Sequence, residues 1–215
     1  KYLLNSIKRK LARRFTREYR IHVEDYKFDG YPEFKLAVWD NPLVEKKKIQ
    51  REQLDFFKKW IREGDLVIDI GANVGHMSVL FGVLSGKSGL TLSFDPNPYV
   101  FRVLKENAGL NKHCSTIHPY NFAISDEDGE YYYFSSEASY SNGGISKEKV
   151  SPHGSYTLRS KIKGIHLENF LNANYADALP RLRMVKIDTE GYDKEIIKSI
   201  TPLLLKYKPI VISEC

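Results

Sequence analysis

An acidic residue and a glycine-rich turn follow each other at the end of a predicted strand. Val67–Ile70 is an apolar run interrupted only by Asp69, and it leads into a turn that contains Gly71, Asn73 and Gly75. Glycine is favoured where the backbone approaches a ligand or takes a positive φ, and asparagine tolerates the left-handed region better than most residues. We therefore predict a buried strand, a tight turn and a helix that begins near residue 76, whose free N–H groups can face a polar ligand.

The spacing of this turn indicates which ligand it suits. Dinucleotide sites use G-x-G-x-x-G against a pyrophosphate, whereas this turn reads D-x-G-x-x-x-G. The carboxylate of Asp69 would repel a pyrophosphate but suits the ammonium group of a methionine moiety, directly or through water. A second predicted strand ends at Asp95, whose carboxylate can accept hydrogen bonds from both hydroxyls of a ribose. The two acids favour S-adenosylmethionine as cofactor, and hence a methyltransferase, over a strand–turn–helix without a ligand.

The composition is that of one domain, or of one domain with a small appendage. The 215 residues are 42% hydrophobic, and no apolar run approaches the roughly 20 residues that a membrane-spanning helix needs. Signal-peptide features are absent, and Cys114 and Cys215 make neither a disulfide framework nor a metal cluster. We therefore expect a reducing, cytoplasmic compartment. Because the first residue is lysine, we also expect a fragment, a processed form or a domain of a longer polypeptide.

The formal net charge of +6 is concentrated at the N-terminus. Residues 1–20 hold eight basic side chains and one acidic side chain, whereas the remaining 195 residues hold 25 basic and 26 acidic ones. The main part of the chain is therefore near neutral, and its composition offers no basic face for a nucleic acid.

A basic amphipathic helix is predicted for residues 3–17. Leu4, Ile7, Leu11 and Phe15 recur on one helical face, and six basic residues occupy other positions. We expect a helix that packs on the domain or links it to a neighbouring domain. The alternative is peripheral contact with an anionic membrane surface.

The rest of the chain divides into a β-hairpin and an alternating α/β region. Residues 20–40 predict the hairpin, so we separate an N-terminal extension, residues 1–45, from a main domain, residues 46–215. Strands are predicted at residues 67–70, 89–95, 116–124, 182–187 and 209–214, with helices that include residues 46–62, a helix starting at Asn97, and residues 194–205. This alternation predicts a doubly wound, mostly parallel sheet whose ligands bind at the carboxyl ends of the strands.

Four segments of the chain resemble one known family. They are Val67–Gly75, Phe94–Pro98, Phe122–Asp126 and Val185–Gly191, and their order and spacing are similar to those of FkbM-type methyltransferases over about residues 50–214. The glycine turn would suit many methyltransferases, whereas the segment K-I-D-x-E-G is typical of this family. The resemblance implies a class I, Rossmann-like fold and S-adenosylmethionine-dependent O-methylation of a hydroxyl, usually on a sugar, glycolipid, glycan or macrolide.

Site residues are carried over by position from the resemblance. The implied cofactor residues are Asp69, Gly71, Asn73 and Gly75 at the methionine end, Asp95 at the ribose, and Asn121, Ala123 and Asp126 near the adenine. The chain departs from the family in three ways. It has Asp95 where glutamate is more frequent, it has His166–Asn169 in place of a segment resembling T-L-D-D, and it lacks the two strands that normally follow the fifth.

Asp188 and Glu190 are our candidates for the catalytic base, because they follow the fourth strand beside the expected methyl group. They could instead hold a divalent cation such as Mg²⁺, or Glu190 could only shape its loop. His166, His153 and His76 are secondary candidates for the base. Polar side chains of the irregular segment 135–157 are expected to bind the sugar, namely Tyr140, Asn142 and His153. The alternative for this segment is a disordered surface loop.

The expected partner is a sugar or glycan acceptor, and glycosyltransferase domains in the same polypeptide would be consistent with it. Three alternatives differ in class. A non-catalytic module of the same fold would bind a glycan or a partner domain. A nucleic-acid methyltransferase is disfavoured by the near-neutral charge of the main domain, and an NAD-dependent oxidoreductase is disfavoured by the missing third glycine and by Asp69.

Overall fold

The computed structural model describes residues 2–16, 18–149, 155–189 and 191–213. The helices are α1 (Tyr2–Arg14), α2 (Arg51–Phe57), α3 (His76–Ser85), α4 (Pro98–Leu110), α5 (Leu167–Asn174), α6 (Asp193–Ser199) and α7 (Thr201–Tyr207). The strands are β1 (Ile21–Tyr26), β2 (Phe34–Trp39), β3 (Leu66–Ile70), β4 (Leu90–Phe94), β5 (Ile117–Tyr120), β6 (Phe122–Ser125), β7 (Gly129–Ser135), β8 (Gly144–Ser146), β9 (Tyr156–Thr157), β10 (Ile162–His166), β11 (Leu182–Ile187) and β12 (Ile210–Ser213).

A five-stranded parallel sheet forms the centre of the molecule, in the order β12-β11-β3-β4-β5. Side chains alternate between its two faces, as they must in a strand. Leu66, Ile68 and Ile70 of β3 share a core with α5, α6 and α7, whereas Val67 shares a core with α2 and α3 on the other face. Helices therefore cover both faces, which confirms the predicted doubly wound α/β fold.

A second sheet departs from the prediction. The predicted strand at residues 116–124 is two strands, because β5 stays in the central sheet while β6 pairs in parallel with β10. The second sheet has the order β6-β10-β7-β8, and β9 also pairs with β7. Asn121 lies at the break, and its Nδ2 donates to the backbone oxygen of Asp95 at 2.9 Å. This contact holds the break against the end of β4.

Two predicted helices are shorter in the structure. The helix expected at residues 194–205 is divided into α6 and α7 around Ile200. Pro202, in the first turn of α7, has no N–H to continue the hydrogen bonding of α6, so the helix cannot run through it. The helix expected at residues 46–62 is limited to Arg51–Phe57.

The predicted hairpin is present as β1 and β2, and two asparagines of α4 bind its second strand. Asn107 accepts from the N–H of Ala37 at 2.6 Å and donates to the carbonyl of the same residue at 3.2 Å. Asn111 makes the same pair of contacts with Lys35, each at 2.8 Å. Residues four apart on a helix thereby satisfy backbone groups two apart on a strand, and the apolar side of β2 shares a core with β3 and α3.

Replacing Asn107 by leucine is expected to lower the free energy of unfolding by about 2–3 kcal/mol. The change leaves buried backbone groups of Ala37, and the Val74 carbonyl that Nδ2 also reaches at 2.7 Å, without a partner. Urea denaturation would measure the loss. The matched control is Asn172→Leu on the exposed side of α5, which should change stability by less than about 0.5 kcal/mol. Equal effects of the two variants would contradict the role assigned to Asn107.

Helix α1 contacts the domain through a face other than its apolar one. Ala12 is fully buried beside Trp39 and Val103, and the backbone oxygen of Arg13 accepts from the N–H of Ala138 at 3.0 Å. The predicted apolar face lies outside this contact and is exposed to solvent. The helix therefore packs on the domain through Ala12, and its apolar face takes no part in that contact. Within the described ranges, the structure contains no helix with the length and apolar character needed to cross a membrane.

Candidate functional site

A cavity of about 380 Å³ opens at the carboxyl ends of the central strands. Its lining comes from residues in segments 43–47, 71–76, 95–100, 123–124, 141–145 and 186–192, together with Tyr133. The strand order places the ends of β11, β3 and β4 side by side, and β6 of the second sheet adds Ala123 and Ile124. The size and the position at the strand ends are typical of a site for a small molecule.

Asp95 is fixed in the cavity wall by two backbone groups. Its Oδ2 accepts from the N–H of Asn73 at 2.8 Å, and its Oδ1 accepts from the N–H of Asn97 at 2.9 Å. Burial raises the pKa of Asp95 to about 7, although the two N–H contacts act to lower that pKa. The carboxyl group is therefore oriented before any ligand binds, and it changes its charge near neutral pH.

The glycine turn is shaped by the strands around it. Gly71 has φ +70°, and a Cβ at this position would lie 1.8 Å from the backbone oxygen of Asp188. Gly75 has φ +85°, and a Cβ there would lie 2.5 Å from Cδ1 of Leu104. Both positions need glycine because protein atoms approach closely from the neighbouring elements. Gly71 and Asn73 also line the cavity, whereas Gly75 lies at the start of α3, behind it.

Asp69 lies behind the cavity wall and is fully buried. Its Oδ2 accepts from the hydroxyl of Ser78 at 2.6 Å. Its Oδ1 accepts no well-directed hydrogen bond from the residues described, but Lys186 Nζ lies 3.3 Å away and forms an ion pair with it. Direct contact between Asp69 and a ligand is therefore not available in this structure, and Asp69 acts on the cavity through Lys186.

Lys186 is the site residue that our reading of the sequence missed. Register pairs it with Asp69 across β11 and β3, and its Nζ also lies 3.2 Å from Oδ2 of Asp188. Burial alone would lower the pKa of Lys186, but the charges of Asp69 and Asp188 outweigh burial and raise that pKa. Lys186 therefore remains an ammonium group in the cavity wall. The sequence signal was a lysine between the apolar residues Val185 and Ile187 of a predicted strand, since a buried lysine requires an anionic partner.

The structure does not support a metal ion at Asp188. The ammonium group of Lys186 already holds the position beside this carboxylate that a cation would occupy. Across the described parts of the chain, no group of three or more His, Cys, Asp or Glu side chains is arranged to hold a metal. Glu190, the second proposed ligand and candidate base, lies outside the described residues.

His76 also lines the cavity, at the first position of α3. Burial is the main cause that lowers its pKa, to about 4, and the nearby charge of Lys47 lowers it further. The imidazole is therefore neutral at physiological pH and is a weak base.

The other predicted site residues divide into those that reach the cavity and those that support it. Ala123 and Asn142 line the cavity. Asn121 and Asp126 are absent from the lining, although Asp126 accepts from the hydroxyl of the lining residue Tyr192 at 3.2 Å. Tyr140 has φ +51° and supports the wall from behind, with its ring stacked on Tyr99.

Two predicted residues do not reach the cavity in this structure. His166, a candidate base, is absent from the cavity lining, because the end of β10 carries it in the second sheet. We therefore do not retain it as a base. His153 lies outside the described residues. The irregular segment 135–157 nonetheless contributes Ser141–Ile145 to the wall.

Segment 43–47 is a further part of the wall that the sequence did not indicate. Leu43, Val44, Glu45 and Lys47 line the cavity without belonging to a helix or strand. The segment follows the hairpin, so the N-terminal part of the chain contributes to the same cavity as the central sheet.

Comparison with known proteins identifies the family of this chain. The chain is 28% identical over 150 residues to the hexuronic acid methyltransferase AglP of Haloferax volcanii, covering 70% of this chain and 56% of that protein. It is 30% identical over 101 residues to a tRNA (guanine(37)-N(1))-methyltransferase of Saccharomyces cerevisiae, covering 47% of this chain and 18% of that protein. The chain thus spans about half the length of the first relative and a smaller part of the second.

Among solved structures, P. horikoshii TYW2 in complex with MeSAdo is similar with a TM-score of 0.35 and 24% identity, over 47% of this chain and 36% of that chain. Residues 69–214 match the methyltransferase FkbM domain family, a range that begins at Asp69 and includes the strand ends that form the cavity. The resemblance read from the sequence is confirmed, and the chain belongs to the FkbM methyltransferase family.

Proposed function

We propose that this methyltransferase uses S-adenosylmethionine to methylate a hydroxyl of a sugar in a glycan or glycoconjugate, and that the sugar carries a negative charge. The similarity to a hexuronic acid methyltransferase over 70% of the chain carries this proposal. The exposed Lys47 also supports it, because its side chain lines the wall and can attract a carboxylate, whereas Lys186 is already paired with Asp69 and Asp188.

The residues along the cavity wall follow the order of the chemical groups in S-adenosylmethionine. Asp95 offers a preformed acceptor for ribose hydroxyls, and the apolar side chains of Val100, Ala123 and Ile124 offer a slot for a purine ring. Gly71 and Asn73 lie on the other side of Asp95 in the strand order, next to Lys186. When bound, S-adenosylmethionine supplies an electrophilic methyl group.

Among the residues that the structure describes, Asp188 is the best placed to take the proton of the acceptor hydroxyl. Its side chain lines the cavity, and the ammonium group of Lys186 holds it from one side. Lys186 cannot serve as the base, because its raised pKa keeps it protonated. As the hydroxyl oxygen bonds to the methyl carbon, the sulfur–methyl bond of the cofactor would break, S-adenosylhomocysteine would be the leaving group, and the hydroxyl proton would pass to Asp188. A positioned base of this kind contributes about 10²–10⁴-fold to the rate.

A methyl-transfer assay with radiolabelled S-adenosylmethionine tests the proposal. Glycans that contain a hexuronic acid should accept label faster than matched glycans with the corresponding neutral sugar. Binding of S-adenosylhomocysteine without transfer to any glycan would favour the non-catalytic alternative. Transfer to guanine-containing RNA alone would replace the proposal with the activity named for the yeast relative, whose alignment covers 47% of this chain.

The affinity for S-adenosylhomocysteine is expected to increase as the pH rises through about 7. Asp95 is raised to a pKa of about 7 by burial, so it is protonated below this pH and then loses part of its capacity to accept from ribose hydroxyls. If S-adenosylhomocysteine binds only when Asp95 is ionised, its dissociation constant should be about tenfold larger at pH 6 than at pH 8. Isothermal titration across this range would measure it. Asp95→Asn should bind S-adenosylhomocysteine more weakly and lose the pH dependence. If the affinity of that variant changed with pH as it does in the unmodified protein, Asp95 would not be the titrating group.

A further inference from the structure

Helix α1 presents an apolar stripe to solvent. Leu4, Ile7 and Leu11 share one face of the helix, and Phe15 continues that face directly after Arg14; the four side chains are 57%, 46%, 44% and 61% exposed. Large apolar side chains grouped on one exposed face are unusual for a free protein surface, because each loses the favourable free energy of burial. The helix is nevertheless fastened to the domain on a different side, through the buried Ala12.

Basic residues flank this stripe. Helical geometry places Lys10 and Arg14 along one side of it and Lys8 along the other, and all three side chains are exposed. The helix has basic residues in its last turn and no acidic residue in its first turn. Apolar side chains between cationic ones match the depth profile of an anionic bilayer, where acyl chains lie beneath negatively charged headgroups.

We infer that α1 is a docking surface for an anionic phospholipid membrane. Leu4, Ile7, Leu11 and Phe15 enter the acyl boundary, and the flanking cations contact lipid phosphates. A nucleic acid would use the cations but would leave the four apolar side chains exposed, so the lipid surface accounts for both features. Arg13 also accepts from Ala138, at the start of the segment that continues into the cavity wall. Docking through α1 would therefore hold the cavity close to the membrane surface.

Co-sedimentation of the 215-residue chain with vesicles tests the inference. We expect binding to vesicles in which about a quarter of the phosphatidylcholine is replaced by phosphatidylserine, and little binding to phosphatidylcholine alone. The double variant Leu11→Asp, Phe15→Asp should bind the anionic vesicles at least tenfold more weakly. Leu205→Asp is the matched control, because Leu205 is 71% exposed on α7 and should leave binding unchanged. Circular dichroism of each variant verifies that the domain remains folded.

Three results would overturn the inference. The first is equal binding to neutral and anionic vesicles, or none to either. The second is self-association of the chain, seen by analytical ultracentrifugation and removed by Leu11→Asp, which would assign the stripe to a second copy. The third is tight RNA binding that Lys10→Gln, Arg14→Gln removes and Leu11→Asp leaves intact. The readout does not use methyl transfer, so failure of the proposed function would leave this test valid.

Discussion

Replacing Asp188 by asparagine is expected to lower the rate of methyl transfer by about 10²–10⁴-fold, the usual contribution of a general base. Asparagine has nearly the same shape as aspartate but cannot accept the proton of the acceptor hydroxyl. The backbone of residue 188, which packs against Gly71, is unchanged, so the dissociation constant of S-adenosylhomocysteine should change by less than about threefold. Steady-state kinetics with the best glycan acceptor, together with isothermal titration, would measure both quantities.

Asp177→Asn is the matched control for this experiment. Asp177 is exposed after α5 and is absent from the cavity lining, so the same chemical change there should leave kcat unaltered. A fall in cofactor affinity as large as the fall in kcat would show that Asp188 only holds the binding site together. Full activity of Asp188→Asn would transfer the role of base to another group.

Replacing Lys186 by methionine is expected to lower the free energy of unfolding by about 3–5 kcal/mol, the usual cost of removing one partner of a buried ion pair. Asp69 is fully buried and would keep only its contact with Ser78. For a domain of this size the loss corresponds to a fall in Tm of roughly 6–20 °C. Differential scanning calorimetry and urea denaturation would measure it.

A double-mutant cycle separates the ion pair from the loss of packing. Asp69→Asn together with Lys186→Met removes both charges and should recover at least half of the stability lost by Lys186→Met alone. The control is Lys198→Met, on the exposed side of α6, which should cost less than about 0.5 kcal/mol. If the double variant is no more stable than Lys186→Met, the pairing with Asp69 contributes nothing to the fold.

The strand ends could be predicted because local patterns determine them. Two apolar runs, one that contains Asp69 and one that ends at Asp95, are followed by glycine or proline turns; they predicted β3 and β4 correctly and brought Asp95 to the cavity. Asn97 was also correctly placed at the start of α4, where its side chain accepts from the N–H of Tyr99 at 3.0 Å. Each of these features depends on residues close together in the sequence.

The features that were missed depend on contacts between distant segments. Lys186 could not be matched with Asp69 because strand register is set by tertiary packing, and a shift of one residue would place Lys186 on the opposite face. Segment 43–47 has no periodicity, so its position over the cavity could not be read from its own residues. The split of the predicted third strand at Asn121 is likewise produced by a contact with the end of β4.

The attachment of segment 43–47 has a consequence for how acceptor preference can diversify or be engineered. Leu43 donates its N–H to the side chain of Asn41 at 3.0 Å, and Val44 donates to the backbone oxygen of the same residue at 3.2 Å. Leu43 and Val44 also pack against Trp39 and α4, so an exchange that keeps both positions apolar and varies Glu45 to Lys47 leaves the hydrogen bonds of the central sheet unchanged. Grafting this short stretch between homologues should redirect acceptor choice while leaving cofactor affinity and thermal tolerance nearly constant.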